Sequence, residues 1–285
     1  MCSKSGYLPQ AEPDRIRPQC GVCPQALQAQ SPLALSVQLL DTSPLQAYHR
    51  PVESKERYWL IAVVCGIVIV AAVLRLSDLD LIELKGDEAV AIHMALPMVE
   101  GRGIPKVGLV NSVGLRNPPL FIYLVALPTW MSVEPRFVTA GLIGLTSTLA
   151  VLFTFLVIRP RFGNFIGVMA SLFYAIAPWP ILYGRKLWAQ DVLPLFSLAL
   201  LWCFFTVHEK PKTRWVAAIP VVLCALWQLH LSAVGLILMA GIYLLTDRRR
   251  IHWGALVAGT VLATMMLTPY VLHQVDNDWQ DVRGF

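Results

Sequence analysis

The hydrophobic positions of this chain fall in seven long apolar runs that are separated by short polar segments. A helix needs about 20 apolar residues to cross a bilayer core, and most of the runs lie close to that length. They are too long for core strands or short core helices. We therefore predict an all-α, polytopic transmembrane helical bundle of about seven spans. The predicted spans are 58–76, 136–158, 163–182, 192–208, 215–229, 231–246 and 253–272.

A further apolar stretch, 118–131, is only about two-thirds of a span long, and it decides the topology. If it lies at the membrane interface without crossing, the basic segments 55–57, 159–161, 210–214 and 248–250 all face the cytoplasm. The positive-inside rule expects this arrangement, whereas a crossing would turn the last three outward. We therefore predict an interfacial helix and a cytoplasmic N-terminus. The external segments are then 77–135, 184–191 and 228–230, with the tail after 272.

Composition supports a membrane protein. Hydrophobic residues make up 56% of the chain and charged residues 14%, with a mean hydropathy of +0.59. In soluble domains about a quarter of the residues are charged. The net charge of +5 lies mostly in short loops between apolar runs, which is typical of membrane topology and not of nucleic-acid binding.

The first 55 residues differ from the rest, since they are rich in Pro, Gln and Ser and show no sustained helical period. We predict a disordered, cytoplasmic segment over 1–55 and a membrane module over 56–285.

An acidic pair follows the first apolar run, in the sequence Gly86-Asp87-Glu88-Ala89. Carboxylates just outside a span are solvated, and one of them can act as a general base for a hydroxyl acceptor while its neighbour orients the acceptor or binds a cation. The structural alternative is a helix start, with Asp87 as the N-cap, Glu88 favoured by the helix dipole, and an interruption at Pro97.

A second polar group lies at the end of the third predicted span, in the segment 183–191. Arg185 and Lys186 are external there, where the positive-inside rule does not explain them. A lipid-linked phosphate bound by these two cations would explain their position. The alternative is that both side chains snorkel to lipid headgroups. Asp191 either caps the next helix or coordinates a cation that faces the acidic pair.

Weaker candidates lie on the same predicted side. Arg116-Asn117-Pro118-Pro119 is typical of a rigid turn before the interfacial helix. His93 and His230 are candidates for substrate contact, although nothing pairs with either at metal-ligand spacing. The chain shows no nucleotide-phosphate loop, Rossmann glycine pattern or zinc-helix motif.

The order of these motifs resembles the membrane glycosyltransferases of the GT-C superfamily. The resembling features are one span, an external loop with Asp87-Glu88-Ala89, then Asn117-Pro118-Pro119, two spans and an external turn with Arg185 and Asp191. The chain looks most like the protein-O-mannosyltransferase and aminoarabinose-transferase-like branch, which includes bacterial phospholipid-carrier-dependent glycosyltransferases. The resemblance covers roughly residues 58–275.

This resemblance implies an inverting transfer from a polyprenyl-phosphate sugar to a hydroxyl acceptor on a protein, lipid or glycan. It implies that Asp87 is the catalytic residue and Glu88 its acidic companion. Arg185, Lys186, Asn117 and His230 would bind substrate, and Asp191 would lie near the phosphate or a divalent cation such as Mg²⁺ or Mn²⁺. Membrane lipids are the other expected partner, and no nucleic acid is expected.

Two alternatives remain at this point. One is a transporter or lipid-binding membrane protein without catalysis, although its ionisable groups are expected at the midplane of spans, and here they lie at the ends. The other is an inactive fragment, because members of the family continue with more spans and we expect this chain to be truncated at its C-terminus.

Overall fold

The computed structural model describes residues 54–82, 84–111 and 114–283. Residues 1–53 of the predicted N-terminal segment lie outside the described residues, so its disorder and its boundary stay predictions.

Helices dominate the described chain, as predicted for an all-α bundle. Its described residues form no strand beyond one isolated antiparallel bridge between Val110 and Arg116. A π-helical segment, Ala140–Gly144, joins α4 to α5. The helices are α1 (Ser54–Leu76), α2 (Gly86–Val99), α3 (Leu120–Thr129), α4 (Pro135–Thr139), α5 (Leu145–Ile176), α6 (Pro178–Tyr183), α7 (Leu193–Glu209), α8 (Ala218–Leu229), α9 (Val234–Thr246), α10 (Trp253–Met266), α11 (Thr268–Asp276) and α12 (Gln280–Arg283).

Helix α5 consists of two helical arms, and the chain reverses between them at Gly163, where φ is 90° and ψ is 171°. Ser147 and Ala175 lie 28 residues apart, yet both accept a hydrogen bond from the Arg75 side chain. A straight helix would separate them by about 42 Å. The reversal needs the left-handed φ that glycine tolerates. Two antiparallel arms therefore correspond to the predicted spans 136–158 and 163–182.

The position of that reversal differs from the prediction. The break was expected at Arg159-Pro160-Arg161, but all three residues are helical and the chain turns at Gly163 instead. The second arm also ends earlier than predicted, at Ile176, because Ala177 is extended (ψ 134°) and Pro178 begins a new short helix. A residue before proline is biased towards this extended conformation.

Length and composition allow three described helical stretches to cross a membrane. They are Lys55–Leu76, Pro135–Ile176 and Ala189–Glu209, and the pair α10 and α11, bent by 46°, would add a fourth. Helices α8 and α9 fall on predicted spans but are shorter than the roughly 20 residues of a full crossing. Every predicted span thus falls on helix, and the chain is an integral membrane protein.

The segment between α1 and α4 carries α2 and α3. Helix α3 has 10 residues and is about 15 Å long, too short to cross a bilayer. Helix α2 continues two residues beyond Pro97, which was predicted to interrupt it. A proline so close to the C-terminus removes only the bond to the carbonyl four residues earlier, and the helix tolerates that loss.

Candidate functional site

The segments that carry the predicted site residues pack on one apolar core. Helices α2 and α3 supply most of this core, and the segment before α7 and the last residue of α8 complete it. The buried members from these segments are Ala91, Ile92, Ala95, Phe121, Ile122, Val125, Ala126, Leu187, Val192 and Leu229. The packing brings the acidic pair, the 185–191 segment, Asn117 and His230 to the margins of the same core.

Glu88 anchors the start of α2. Its carboxylate accepts a hydrogen bond from the backbone N–H of Lys85, the N-cap residue, at 2.5 Å. The side chain is only 1% exposed, and its second oxygen, Oε1, has no hydrogen-bond partner among the described residues. The N-cap is therefore Lys85, where the helix-start alternative expected Asp87, and Glu88 is turned inward.

Asp87 lies in the first turn of α2 and is exposed. No described residue forms a hydrogen bond or an ion pair with its carboxylate. An acidic residue in the first helical turn is favoured by the helix dipole, but that interaction leaves both carboxylate oxygens open to solvent. The two members of the acidic pair thus have different environments, since Asp87 is exposed and Glu88 is buried.

Asp191 lies in the 3₁₀ turn Ala189–Val192, directly before α7. The side chain is half-buried, and its Oδ2 atom is buried without a hydrogen-bond partner in the described part of the chain. The charges of Lys186 and Glu88 both act on Asp191. Glu88, Lys186 and Asp191 therefore lie within electrostatic reach of one another, although they come from two distant segments.

Arg185 binds the C-terminal end of α1. Its Nη2 donates to the carbonyl of Asp78 at 2.6 Å and its Nη1 to the carbonyl of Leu74 at 3.3 Å. Leu74 lies in the last turn of α1, where the carbonyls lack intrahelical donors and carry the negative end of the helix dipole, so a cation is favoured there. Asp78 follows the helix by two residues. These two bonds leave three of the five guanidinium N–H groups for another ligand.

Arg75, near the end of α1, binds backbone carbonyls at the end of α5. It was not among the residues predicted from the sequence. It is fully buried, and it donates to Ser147 Oγ at 2.8 Å, to the Ala175 carbonyl at 2.9 Å and to the Tyr174 carbonyl at 2.9 Å. The backbone carbonyl of Tyr174 accepts no hydrogen bond from the residue four positions later, because that residue, Pro178, has no N–H. Arg75 thus caps the second arm of α5.

The two arginines form a reciprocal arrangement. Arg75, on α1, satisfies the carbonyl end of α5, while Arg185, which follows α5 and α6, satisfies the carbonyl end of α1. The segment that carries Lys186 and Asp191 is thereby tied to the end of α1. A signal was available in the sequence, because Arg75 is the one charge inside the apolar run 58–76.

Asn117 pairs the two sides of the loop before α3. Its backbone N–H donates to the Leu109 carbonyl at 2.9 Å, and its own carbonyl accepts from Gly108 at 2.6 Å. The side-chain Oδ1 lies 3.4 Å from Asn111 Nδ2. Asn117 therefore belongs to a short antiparallel pairing that ends just before α3, and its side chain is partly buried.

His230 begins the turn between α8 and α9. Its Nδ1 accepts from the backbone N–H of Ser232 at 3.2 Å and lies 2.8 Å from Ser232 Oγ. This N-cap role occupies one ring nitrogen and leaves Nε2 for a ligand. His93, the other histidine candidate, is exposed on α2.

An apolar groove of about 590 Å³ opens beside the end of α1. Its walls come from the end of α1, the residues around the end of α3, and the π-helical segment, and they expose almost no polar surface. The lining residues include Leu76, Pro128, Met131, Phe137, Ala140 and Leu145. Leu76 follows Arg75, so the groove begins at the end of α1 that Arg185 caps.

The described residues contain no group of three or more His, Cys, Asp or Glu side chains that could hold a metal ion. Glu88 and Asp191 supply two carboxylates at most, so oxygens of a bound substrate would have to complete a coordination shell. The divalent cation predicted at Asp191 stays a prediction.

Comparison with known proteins gives one family. A family model described as dolichyl-phosphate-mannose-protein mannosyltransferase matches residues 116–273, a little more than half of the chain. This stretch includes Asn117, Arg185, Lys186, Asp191 and His230, and it begins after Asp87 and Glu88. No curated protein and no solved structure matches the chain.

Proposed function

Because the chain belongs to the dolichyl-phosphate-mannose-protein mannosyltransferase family, a GT-C-type family of membrane enzymes, we propose that it transfers a sugar from a polyprenyl-phosphate carrier to a hydroxyl acceptor. The reaction takes place at the external membrane face and inverts the anomeric centre. The observation that carries this proposal is the electrostatic contact of Asp191 with Lys186 and with Glu88, the chain neighbour of the exposed Asp87. Arg185, in the same segment as Lys186, binds the end of α1, and Leu76 at that end lines an apolar groove.

Asp87 is the general base of the proposed reaction. It removes the proton of the acceptor hydroxyl as the acceptor oxygen forms a bond to the anomeric carbon of the sugar. The bond between that carbon and the phosphate oxygen breaks, and its electron pair leaves with the polyprenyl phosphate. A single displacement of this kind inverts the anomeric centre. The exposure of Asp87 supports this role, since a base must reach the proton that it abstracts.

Arg185 and Lys186 stabilise the departing phosphate. Positive charge placed where negative charge develops lowers the barrier of such a step. Arg185 keeps three N–H groups after its two bonds to α1, and it is held in place by those bonds. Asn117 and His230, at the margin of the same core, are the proposed contacts to the sugar or the acceptor.

The apolar groove beside α1 is the proposed site of the first isoprene units of the carrier. Its lining is apolar, and one lining residue, Leu76, lies between the two residues whose carbonyls bind Arg185, as a lipid with a phosphate head requires. A carrier held by the bilayer and this groove needs no nucleotide-binding motif, and none is present in the sequence.

A bulky residue in this groove is expected to weaken carrier binding. Ala140→Phe should raise KM for a long-chain polyprenyl-phosphate sugar about tenfold, which corresponds to the lost burial of about two methylene groups. The kcat should change little, since the reacting groups are untouched. The measurement is transfer kinetics with long-chain donors and with donors of two isoprene units.

Ala62→Phe, on an exposed position of α1, is the matched control and should behave like the wild type. An equal rise in KM for both donor lengths would exclude the groove as the site of the isoprenoid chain.

Glu88 and Asp191 are proposed to order the polar region around the sugar. Asp191→Asn is expected to raise the donor KM about tenfold, the loss of one charge-assisted hydrogen bond. The described residues hold no group of three side chains that could bind a metal ion, so we expect EDTA to leave wild-type transfer unchanged. Kinetics with and without EDTA measure both effects. A different result would identify Asp191 as the predicted cation ligand. In that case EDTA abolishes transfer, and added Mg²⁺ or Mn²⁺ restores it in the wild type but not in Asp191→Asn.

The proposed function is tested by release of polyprenyl phosphate from labelled donors. Membranes that carry the full chain are incubated with a panel of polyprenyl-phosphate sugars, with mannose first, and with nucleotide sugars for comparison. We expect polyprenyl phosphate to be released from the lipid-linked donors. We expect no transfer of labelled sugar from the nucleotide sugars. Transfer from a nucleotide sugar alone, or no release from any lipid donor, would overturn the proposal.

A further inference from the structure

Two polar loops meet beside a second apolar core, whose buried members include Val207, Val216 and Ile251. One connects α7 to α8, and the other connects α9 to α10. The backbone N–H of Lys212 donates to the Arg250 carbonyl at 2.6 Å, and Arg250 Nη1 donates to the His208 carbonyl at 2.8 Å. The two loops therefore form one surface, although they are some 40 residues apart in the chain.

This surface is strongly positive. We call its five exposed cations the basic patch, and they are Lys210, Lys212, Arg214, Arg248 and Arg249. None of the five forms an ion pair with a described residue. The neighbouring acids are engaged elsewhere, since Glu209 binds Arg161 at 2.7 Å and Asp247 binds Arg250 at 3.1 Å. The patch thus lacks an anionic partner within the described chain.

A second apolar groove, of about 560 Å³, begins at this patch. Arg214 and Trp215 stand at its entrance, and it continues between α8 and α10. Gly259 allows α10 to approach the turn that precedes α8, because a Cβ at this position would lie 2.0 Å from the Ala217 carbonyl. The residues along the groove are Ala218, Val221, Ala258 and Leu262.

We propose that this groove and the basic patch bind one anionic phospholipid of the surrounding leaflet. The phosphate of its headgroup lies against Arg214 and Lys212, and one acyl chain lies in the groove along Val221 and Leu262. Charge complementarity supports a lipid with a net negative headgroup over a zwitterionic one. Each Lys or Arg near a membrane surface contributes about 1 kcal/mol to binding of anionic lipid.

The position of Trp215 supports a lipid occupant. Its ring is 54% exposed and packs edge-on against Trp202, with 4.9 Å between the ring centroids. An indole held in this way at a helix start is typical of the headgroup level of a membrane. A free phosphate would use the patch alone, whereas a phospholipid uses the patch and the groove.

The test uses the purified full chain in detergent. Its melting temperature is measured with added phosphatidylglycerol, phosphatidylcholine or inorganic phosphate, and retained lipid is identified by native mass spectrometry. We expect phosphatidylglycerol to be retained and to raise the melting temperature, and the other two to have little effect. Equal effects of phosphatidylglycerol and phosphatidylcholine, or a full effect of inorganic phosphate, would overturn the proposal.

Two variants separate the parts of the site. Lys212→Gln/Arg214→Gln removes two charges and is expected to weaken phosphatidylglycerol binding about thirtyfold. Ala258→Phe fills the groove and leaves every charge in place, and we expect a comparable loss. Ala258 is exposed to the groove, so this substitution does not disturb the core.

Lys55→Gln/Arg57→Gln is the matched control, since it removes two exposed charges that are predicted to face the same side. It should bind phosphatidylglycerol like the wild type. If the control loses as much as Lys212→Gln/Arg214→Gln while Ala258→Phe binds normally, the attraction is a diffuse surface charge and the site does not exist.

Discussion

Asp87→Asn is expected to lower the turnover of sugar transfer by about 10²–10⁴-fold while the protein still inserts and folds. A general base contributes rate enhancements of this size, equivalent to about 3–5 kcal/mol of transition-state stabilisation. Asparagine keeps the shape of the side chain but cannot take up the proton of the acceptor hydroxyl. The measurement is release of polyprenyl phosphate by membranes with equal amounts of wild type and variant.

The folded state should tolerate this change. Asp87 is exposed and forms no hydrogen bond or ion pair with a described residue, so its contribution to stability is the interaction with the dipole of α2, at most about 1 kcal/mol. Glu100→Gln, an exposed acid at the other end of the same helix, is the matched control and should retain transfer. Full transfer by Asp87→Asn would remove Asp87 from the mechanism, and loss in Glu88→Gln alone would move the base to Glu88.

Arg75→Met is expected to produce the largest loss of stability. The substitution keeps the apolar bulk but removes the donors for the Tyr174 and Ala175 carbonyls, which then stay unsatisfied in the interior. It also removes one of the hydrogen-bond partners of Ser147. Each unsatisfied group costs about 1–3 kcal/mol, and relief from desolvating the guanidinium offsets part of the sum. We expect a net loss of about 2–4 kcal/mol.

A loss of this size lowers the melting temperature by about 5–10 °C for a chain of this length, which a thermal scan in detergent measures. Arg57→Met, at the exposed opposite end of α1, should melt within about 1 °C of the wild type because it removes no buried bond. Arg75→Lys keeps a charge and three donors, so it should fall between the two. An Arg75→Met variant that melts like the wild type would show that Arg75 does not brace α1 against α5.

Arg75 also bears on how the proposed site is held. It caps the arm of α5 that leads into α6 and the segment with Arg185, Lys186 and Asp191. Arg185 returns the bond to the end of α1. Arg185, one of the two cations that we assign to the departing phosphate, is therefore positioned by backbone carbonyls at the end of a long apolar helix, which is more rigid than a free loop.

The family assignment and the acidic pair rest on different parts of the chain. The family match covers 116–273, which includes the proposed phosphate and sugar contacts. Asp87 and Glu88 lie before it, and their roles depend on the resemblance of the first loop and on the environments of the two carboxylates. The activity of Asp87→Asn is for that reason the most informative result.

The lengths of the apolar runs and the placement of basic residues were sufficient to predict the membrane-helix class and to place helix at every predicted span. Backbone polar groups in a bilayer must be satisfied within the segment, so a long apolar run has few alternatives to helix. The acidic pair, Arg185 and Asp191 could be chosen from the sequence for a similar reason, because charges beside apolar runs are few.

Only the tertiary structure decided what each of those charges contacts. Glu88 is buried while its neighbour Asp87 is exposed, and no local pattern separates two adjacent acids. The capping of α5 by Arg75 depends on contacts between segments that are 72 or more residues apart in the chain. The energy of a buried polar group comes from its partners, and long-range packing chooses those partners.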